Sequence, residues 1–205
     1  MHLFLFDLFI SVDNLCPIIN NLPPKKVIIC NINAVQNFEK TKLANTVLKK
    51  KIKYFSYLPL SNKKKIFFYL IKIFLFAPGV ILKKFRFLWL FIYKKIHFSS
   101  EREIEKFLKS NKIKSITFEE SAPKFVVEIF YRLAKKDKIT VIKIASGLRT
   151  GKLNKLSKSQ LNNCDYYISP NKVRGERKNQ NIERQIKYFG SLRFSKHWIN
   201  KLKGT

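Results

Sequence analysis

The sequence predicts an α/β domain built on a parallel sheet flanked by helices, and three observations carry that prediction. Short apolar runs of strand length recur along the 205 residues. Segments of helical periodicity follow several of them, as crossover helices follow parallel strands. The chain is also 46% hydrophobic and 14% aromatic, which excludes a disordered or low-complexity polymer and leaves enough apolar side chain for a buried core.

The elements follow in order. Residues 3–6 read as a buried strand that enters a loop at residues 7–11. They are not a targeting signal, because no basic residue precedes the apolar run and Asp7 interrupts it. His2 is expected at the strand end. Further strands are predicted at residues 27–30, 52–55, 113–118, 139–145, 166–168 and 186–189. A helix is predicted to start at Ser100, whose hydroxyl and Glu103 form a capping box, with Ile104, Phe107 and Leu108 on the buried side. The strongest helical pattern spans residues 122–136. There Phe125, Val126, Ile129, Phe130, Leu133 and Ala134 share one face, with Lys124, Glu128 and Arg132 opposite, and Pro123 lies in the first turn. Residues 1–198 are expected to form one domain, with residues 199–205 starting a linker or a truncated end.

Charge is the second source of information. Lys and Arg number 42 against 13 Asp and Glu, a net charge of +29. Only eight of the basic residues are Arg, which weakens a nucleic-acid reading, since Arg is the better phosphate and base reader. A nucleic-acid-binding basic module stays open as an alternative. Distribution says more: residues 40–100 hold no acidic residue, yet carry fourteen Lys and Arg86. Within that window residues 61–95 interleave aromatic and apolar runs with Lys63, Lys64, Lys65, Lys83, Lys84, Arg86 and Trp89. A membrane span needs about 20 apolar residues in a row. Residues 66–82 contain Lys72 and are broken by Pro78 and Gly79, so the pattern fits helices lying on an anionic membrane surface.

Cys16, Cys30 and Cys164 are odd in number and widely spaced, which suits a reducing cytoplasm and gives neither a disulfide framework nor metal-ligand spacing. No metal and no cofactor is expected.

The helix, strand, helix, strand order across residues 100–145 has a chemical consequence. Consecutive parallel strands end on the same sheet edge, where open α/β sheets bind ligands. Glu119, Glu120 and Ser121 are therefore expected near residues 146–150. Glu119 and Glu120 are candidates for a general base, and the same residues also suit capping of the helix that follows.

Residues 145–151 read ASGLRTG directly after the strand ITVIKIA. Gly147 allows close backbone approach to a ligand, and Arg149 offers a planar phosphate-binding fork. Two more strand endings run into polar turns, at residues 165–171 and 190–198. Residues 113–198, somewhat under half of the chain, resemble the latter part of the N-terminal domain of GT-B glycosyltransferases and of UDP-N-acetylglucosamine 2-epimerases. In those families a strand runs into His-Val-Glu-Ala-Gly-Leu-Arg-Thr, and this chain has Lys143-Ile-Ala-Ser-Gly-Leu-Arg-Thr150. Lys143 and Ala145 stand where the epimerases have His and the catalytic Glu, which speaks against epimerisation.

The resemblance implies a single Rossmann-like domain of the GT-B N-terminal type, with substrate contacts from Ser146, Gly147, Arg149, Thr150, Asn171, Gly190, Ser191 and Arg193. It implies the acceptor-side half of a glycosyltransferase in surface polysaccharide or glycoconjugate assembly. The partners would be a glycan or lipid-linked acceptor, an anionic membrane surface, and a nucleotide-sugar donor held by a missing C-terminal domain or a separate subunit. Such a protein is expected in the cytoplasm, peripheral to the inner face of the membrane, and inactive alone. Glu119 or Glu120 would take the acceptor proton, with His97 and His197 as weaker candidates. A degenerate epimerase-like domain without catalysis is the remaining alternative.

Overall fold

The computed structural model describes residues 1–7, 10–32, 52–55, 101–146, 155–156, 161–170, 174–175, 185–188 and 199–200. In chain order the elements are β1 (His2–Phe6), α1 (Ile10–Asn20), β2 (Val27–Asn31), β3 (Lys53–Phe55), α2 (Glu101–Ser110), β4 (Ser115–Glu119), α3 (Lys124–Lys136), β5 (Thr140–Ile144), β6 (Lys155–Leu156), β7 (Tyr166–Ser169), β8 (Arg174–Gly175) and β9 (Ile186–Tyr188). A 3-10 turn, Pro24–Lys26, leads into β2. The chain divides into two compact units, Met1–Tyr57 with Lys112–Thr205, and Leu58–Asn111.

In the first unit, seven strands form one sheet in the order β3-β2-β1-β4-β5-β7-β9, and every neighbouring pair is parallel. This is an α/β, Rossmann-like architecture. All seven strands fall where the apolar runs predicted them. The short pair β6 and β8 forms a separate parallel ladder. β1 is central: His2 to Phe6 pair with Val27 to Asn31 on one side, and His2 to Leu5 with Ser115 to Phe118 on the other. Its Leu3 and Leu5 are wholly withdrawn from water, each contributing about 1.5–3 kcal/mol of burial.

Alternation along the strands assigns the two faces. Phe4 and Phe6 of β1, Val27 and Ile29 of β2 and Ile144 of β5 pack with Leu15, Cys16 and Ile19 of α1. Residues at odd register steps, among them Phe118 and Lys143, turn to the opposite face, where they share a cavity with Lys124, Val127 and Glu128 of α3. α1 and α3 therefore cover opposite faces.

α1 corrects the expected loop at residues 7–11, because the helix begins at Ile10. Pro17 inside the helix and the polar pair Asp13 and Asn14 obscured the periodicity. α3 begins at Lys124, with Pro123 as its N-cap, two residues later than the apolar pattern indicated. Its buried face includes Val127, while Phe125 is only half-buried. α3 ends in a six-to-one turn: Ile139 N–H donates to the Ala134 carbonyl at 2.8 Å, and Lys138 between them has φ 56°. Asp165 ties three elements together, accepting from the Val141 amide at 2.9 Å and from the Lys135 ammonium.

In the second unit the described element is α2. Glu101 and Glu103 lie in its first turn, favourable to the helix dipole. Lys109 pairs with Glu105 one turn earlier at 2.8 Å, and Ile104, Phe107 and Leu108 are buried as the sequence predicts. Ser100, the expected cap, lies outside the described residues, as does the whole of the basic segment 61–95. Among the described residues no helix is long and apolar enough to cross a membrane.

Candidate functional site

Strand order reverses its direction of growth at the centre of the sheet. From β1 the sheet extends through β2 and β3 on one side and through β4, β5, β7 and β9 on the other. In such sheets the connections diverge at the reversal and open a crevice beyond the carboxyl ends of the strands. Polar side chains gather along that edge here. Asn31 ends β2, Asp7 follows β1, Glu119 ends β4, Ser169 ends β7, and all four are buried. Ser146 stands two residues past β5.

The adjacent carboxylates Glu119 and Glu120 occupy different surroundings. Glu119 pairs with Ile144 in the ladder and shares the α1 side with it. It is fully buried. One carboxylate oxygen accepts from Asn14 Nδ2 of α1 at 2.6 Å, and the other from Ser121 Oγ at 3.4 Å. Asn14 Nδ2 also approaches the Ser146 carbonyl at 3.4 Å, so one side chain links α1 to the ends of β4 and β5.

Glu120 is half-buried and continues the ladder by donating its N–H to the Ile144 carbonyl at 2.8 Å. Its carboxylate accepts from the Tyr167 hydroxyl at 3.0 Å and borders a cavity of about 370 Å³. Phe118, Ala122 and Val127 give that cavity apolar wall, while Lys124, Glu128, Lys143, Asn162 and Asn163 give it polar groups. Asn163 holds φ 62°, a left-handed turn that Asn tolerates well.

Lys143 is the unusual member. Its side chain is 8% exposed. The amine donates to the Asn162 carbonyl at 2.8 Å and lies 5.7 Å from the centre of the Phe118 ring. Burial pulls its pKa below the ordinary lysine value; Cys164, where it ionises, and the Glu120 carboxylate act against that shift, and Lys124 adds to it. The buried Cys164 thiol is pushed up to about 11 by loss of hydration, which keeps it protonated and inert near neutrality. A carboxylate hydrogen-bonded to a phenol, opposite a desolvated amine, is equipped to exchange a proton with a bound hydroxyl and to pair with an anion.

The structure thus places Glu119, Glu120 and Ser146 at one edge, as the strand order predicted. Gly147, Arg149, Thr150, Asn171, Gly190, Ser191 and Arg193 lie outside the described residues, as do His97, His197 and the membrane-contact set Lys63, Lys64, Lys65, Lys83, Lys84, Arg86 and Trp89. His2 sits at the opposite end of β4, sharing a 2.8 Å hydrogen bond with Ser115, and is a strand-end residue as expected. Sequence reasoning missed Asn14 and Tyr167 as partners of the two carboxylates. Asn14 lay in an unread helix, and Tyr167 gave only an apolar strand signal. Among the described residues no three His, Cys, Asp or Glu side chains are grouped to hold a metal ion. No protein-family model, curated protein or solved structure matches the chain.

Proposed function

We propose that this chain is the acceptor-side domain of a sugar transferase that builds glycoconjugates at a membrane surface. The observation that carries the reading is the Glu120 carboxylate, bordering a cavity of about 370 Å³ at the carboxyl ends of β4 and β5. Sugar transfer needs a carboxylate that removes the acceptor hydroxyl proton as the glycosyl group moves. Glu120 meets that need from the cavity wall, its carboxylate held by the Tyr167 hydroxyl through the 3.0 Å hydrogen bond. Glu119, buried against Asn14, keeps the turn that presents Glu120. Phe118, Ala122 and Val127 suit the apolar face of a sugar ring, and Asn162 and Asn163 suit its hydroxyls. The resemblance around Gly147 to Thr150 supports the same class, with the nucleotide-sugar donor held by a further domain or subunit.

The test is transfer from a panel of radiolabelled nucleotide-sugars to lipid-linked acceptors in membranes of cells that produce the chain. Glu120→Gln is expected to lower transfer at least about 100-fold, the usual worth of a positioned base. Transfer unchanged by Glu120→Gln removes the proposed base, and no chain-dependent transfer from any donor removes the reading.

A further inference from the structure

The amino edge of the sheet, opposite the edge that holds the cavity, is lined with cations. Register sets the starts of β2, β1, β4 and β5 side by side: Val27 pairs with His2, His2 with Ser115, and Ser115 with Thr140. Lys26 and Lys114 immediately precede β2 and β4, Lys138 stands two residues before β5, and Lys112 lies in the turn before β4. With about 4.8 Å between neighbouring strands, the row runs roughly 14 Å. All four lysines are exposed, and among the described residues none of them forms an ion pair. Burial lowers the pKa of the His2 ring on the strand between Lys26 and Lys114, and the charges of both lysines add to that shift. The acidic residues of this edge are Asp137, next to the last residue of α3, and Asp165, which Lys135 and the Val141 amide hold. Asp7, Glu119 and Glu120 lie at the other end of the strands, so charge is separated along the strand direction.

Two of these lysines hold backbone that glycine would hold more easily. Lys112 has φ 49° and Lys138 φ 56°, both in the left-handed region that disfavours a side chain with a Cβ. The turns into β4 and β5 thus each keep an exposed ammonium at a conformational cost, on the same edge, and strain of that kind is concentrated at functional surfaces. The row contains Lys and no Arg. Compact ammonium groups suit diffuse attraction to a charged plane, whereas nucleic-acid phosphates and bases are read best by the Arg fork. We propose that the amino edge of the sheet is a docking surface for an anionic lipid bilayer, touched by Lys26, Lys112, Lys114 and Lys138. The proposal rests on the membrane part of the reading above and not on its transfer chemistry. A chain docked by this row turns the cavity edge away from the bilayer, toward water.

The experiment is sedimentation of the full chain with vesicles of phosphatidylcholine and phosphatidylglycerol in equal parts, at low salt, over a range of lipid concentration. Lys26→Gln combined with Lys114→Gln is expected to weaken binding on the order of 30-fold, the usual worth of a lysine near an anionic surface taken twice. Removing the same charge elsewhere, by Lys124→Gln combined with Lys187→Gln, both exposed lysines away from this edge, is expected to weaken it less than about threefold. Lys138→Gly is expected to lose about fivefold in binding although its backbone is relieved, which separates a surface role from a structural one. Equal losses in the two double variants would overturn the docking surface and leave the vesicle contact to other parts of this basic chain. No binding by the parent chain overturns the membrane reading as well. Losses in the edge variants that appear toward a duplex oligonucleotide and not toward vesicles assign the row to nucleic acid and also overturn the proposal.

Discussion

At the scale of single residues, the cavity lysine and its neighbours show how a site sets its own cost. Lys143 is buried with its amine against the Asn162 carbonyl, and burial lowers its pKa. Between that lowered value and the ordinary lysine value the unfolded chain binds more protons than the folded one, so stability increases with pH across that window. Below the ordinary lysine value this difference in proton binding works against folding. Lys143→Met is therefore expected to raise the unfolding free energy by about 1 kcal/mol, a gain of roughly 2–4 °C in melting temperature for a chain of this size. Thermal denaturation at neutral pH checks it, and a variant less stable than the parent would show that the amine contributes structure through Asn162. Glu119 has the opposite standing: its carboxylate is buried but held by Asn14 at 2.6 Å and by Ser121. Removal of either partner leaves part of its hydrogen bonding unmet, which is costly in a buried site.

Among the elements, α3 deserves most of the credit for the cavity, because its first turns form one wall while Val126, Ile129, Phe130 and Leu133 anchor it. Its C-terminal turn is a Schellman motif closed by Ile139 onto Ala134, with Lys138 at the left-handed position usually given to glycine. A side chain with a Cβ pays about 1 kcal/mol there. Lys138→Gly is expected to stabilise the domain by roughly 0.5–1 kcal/mol, after the extra chain entropy of glycine is counted. Urea unfolding measures it, and a loss of stability would mean that the lysine stem packs on the turn by more than the strain it bears. α1 shows a second lesson. Its helix carries Pro17 in the interior and Asn14 on the buried side, both poor helix residues, so its stability rests on Leu15, Cys16 and Ile19 packed against the sheet.

For the whole molecule, the parallel sheet and the acid-free basic stretch have separate jobs in the proposed function. In that proposal residues 61–95 would supply the membrane contact and the carboxyl edge of the sheet the chemistry. Sedimentation with vesicles rich in phosphatidylglycerol at low salt is expected to carry the chain into the pellet, with release as salt rises past the range where charges are screened. A chain that stays in solution with such vesicles would refute the membrane part and leave the cavity untouched. The amino-acid sequence by itself determined the α/β class, the position of all seven strands of the main sheet and the placing of Glu119, Glu120 and Ser146 at one edge, because strand length, apolar runs and the parallel order are local or follow from chain order. Only the tertiary structure decided that the two neighbouring glutamates part company, one sealed against Asn14, 105 residues away in sequence, and one hydrogen-bonded to Tyr167 at the wall of a cavity that Lys143 also lines. That division depends on strand register and on which helix covers which face, and a one-residue shift in register would exchange the two environments.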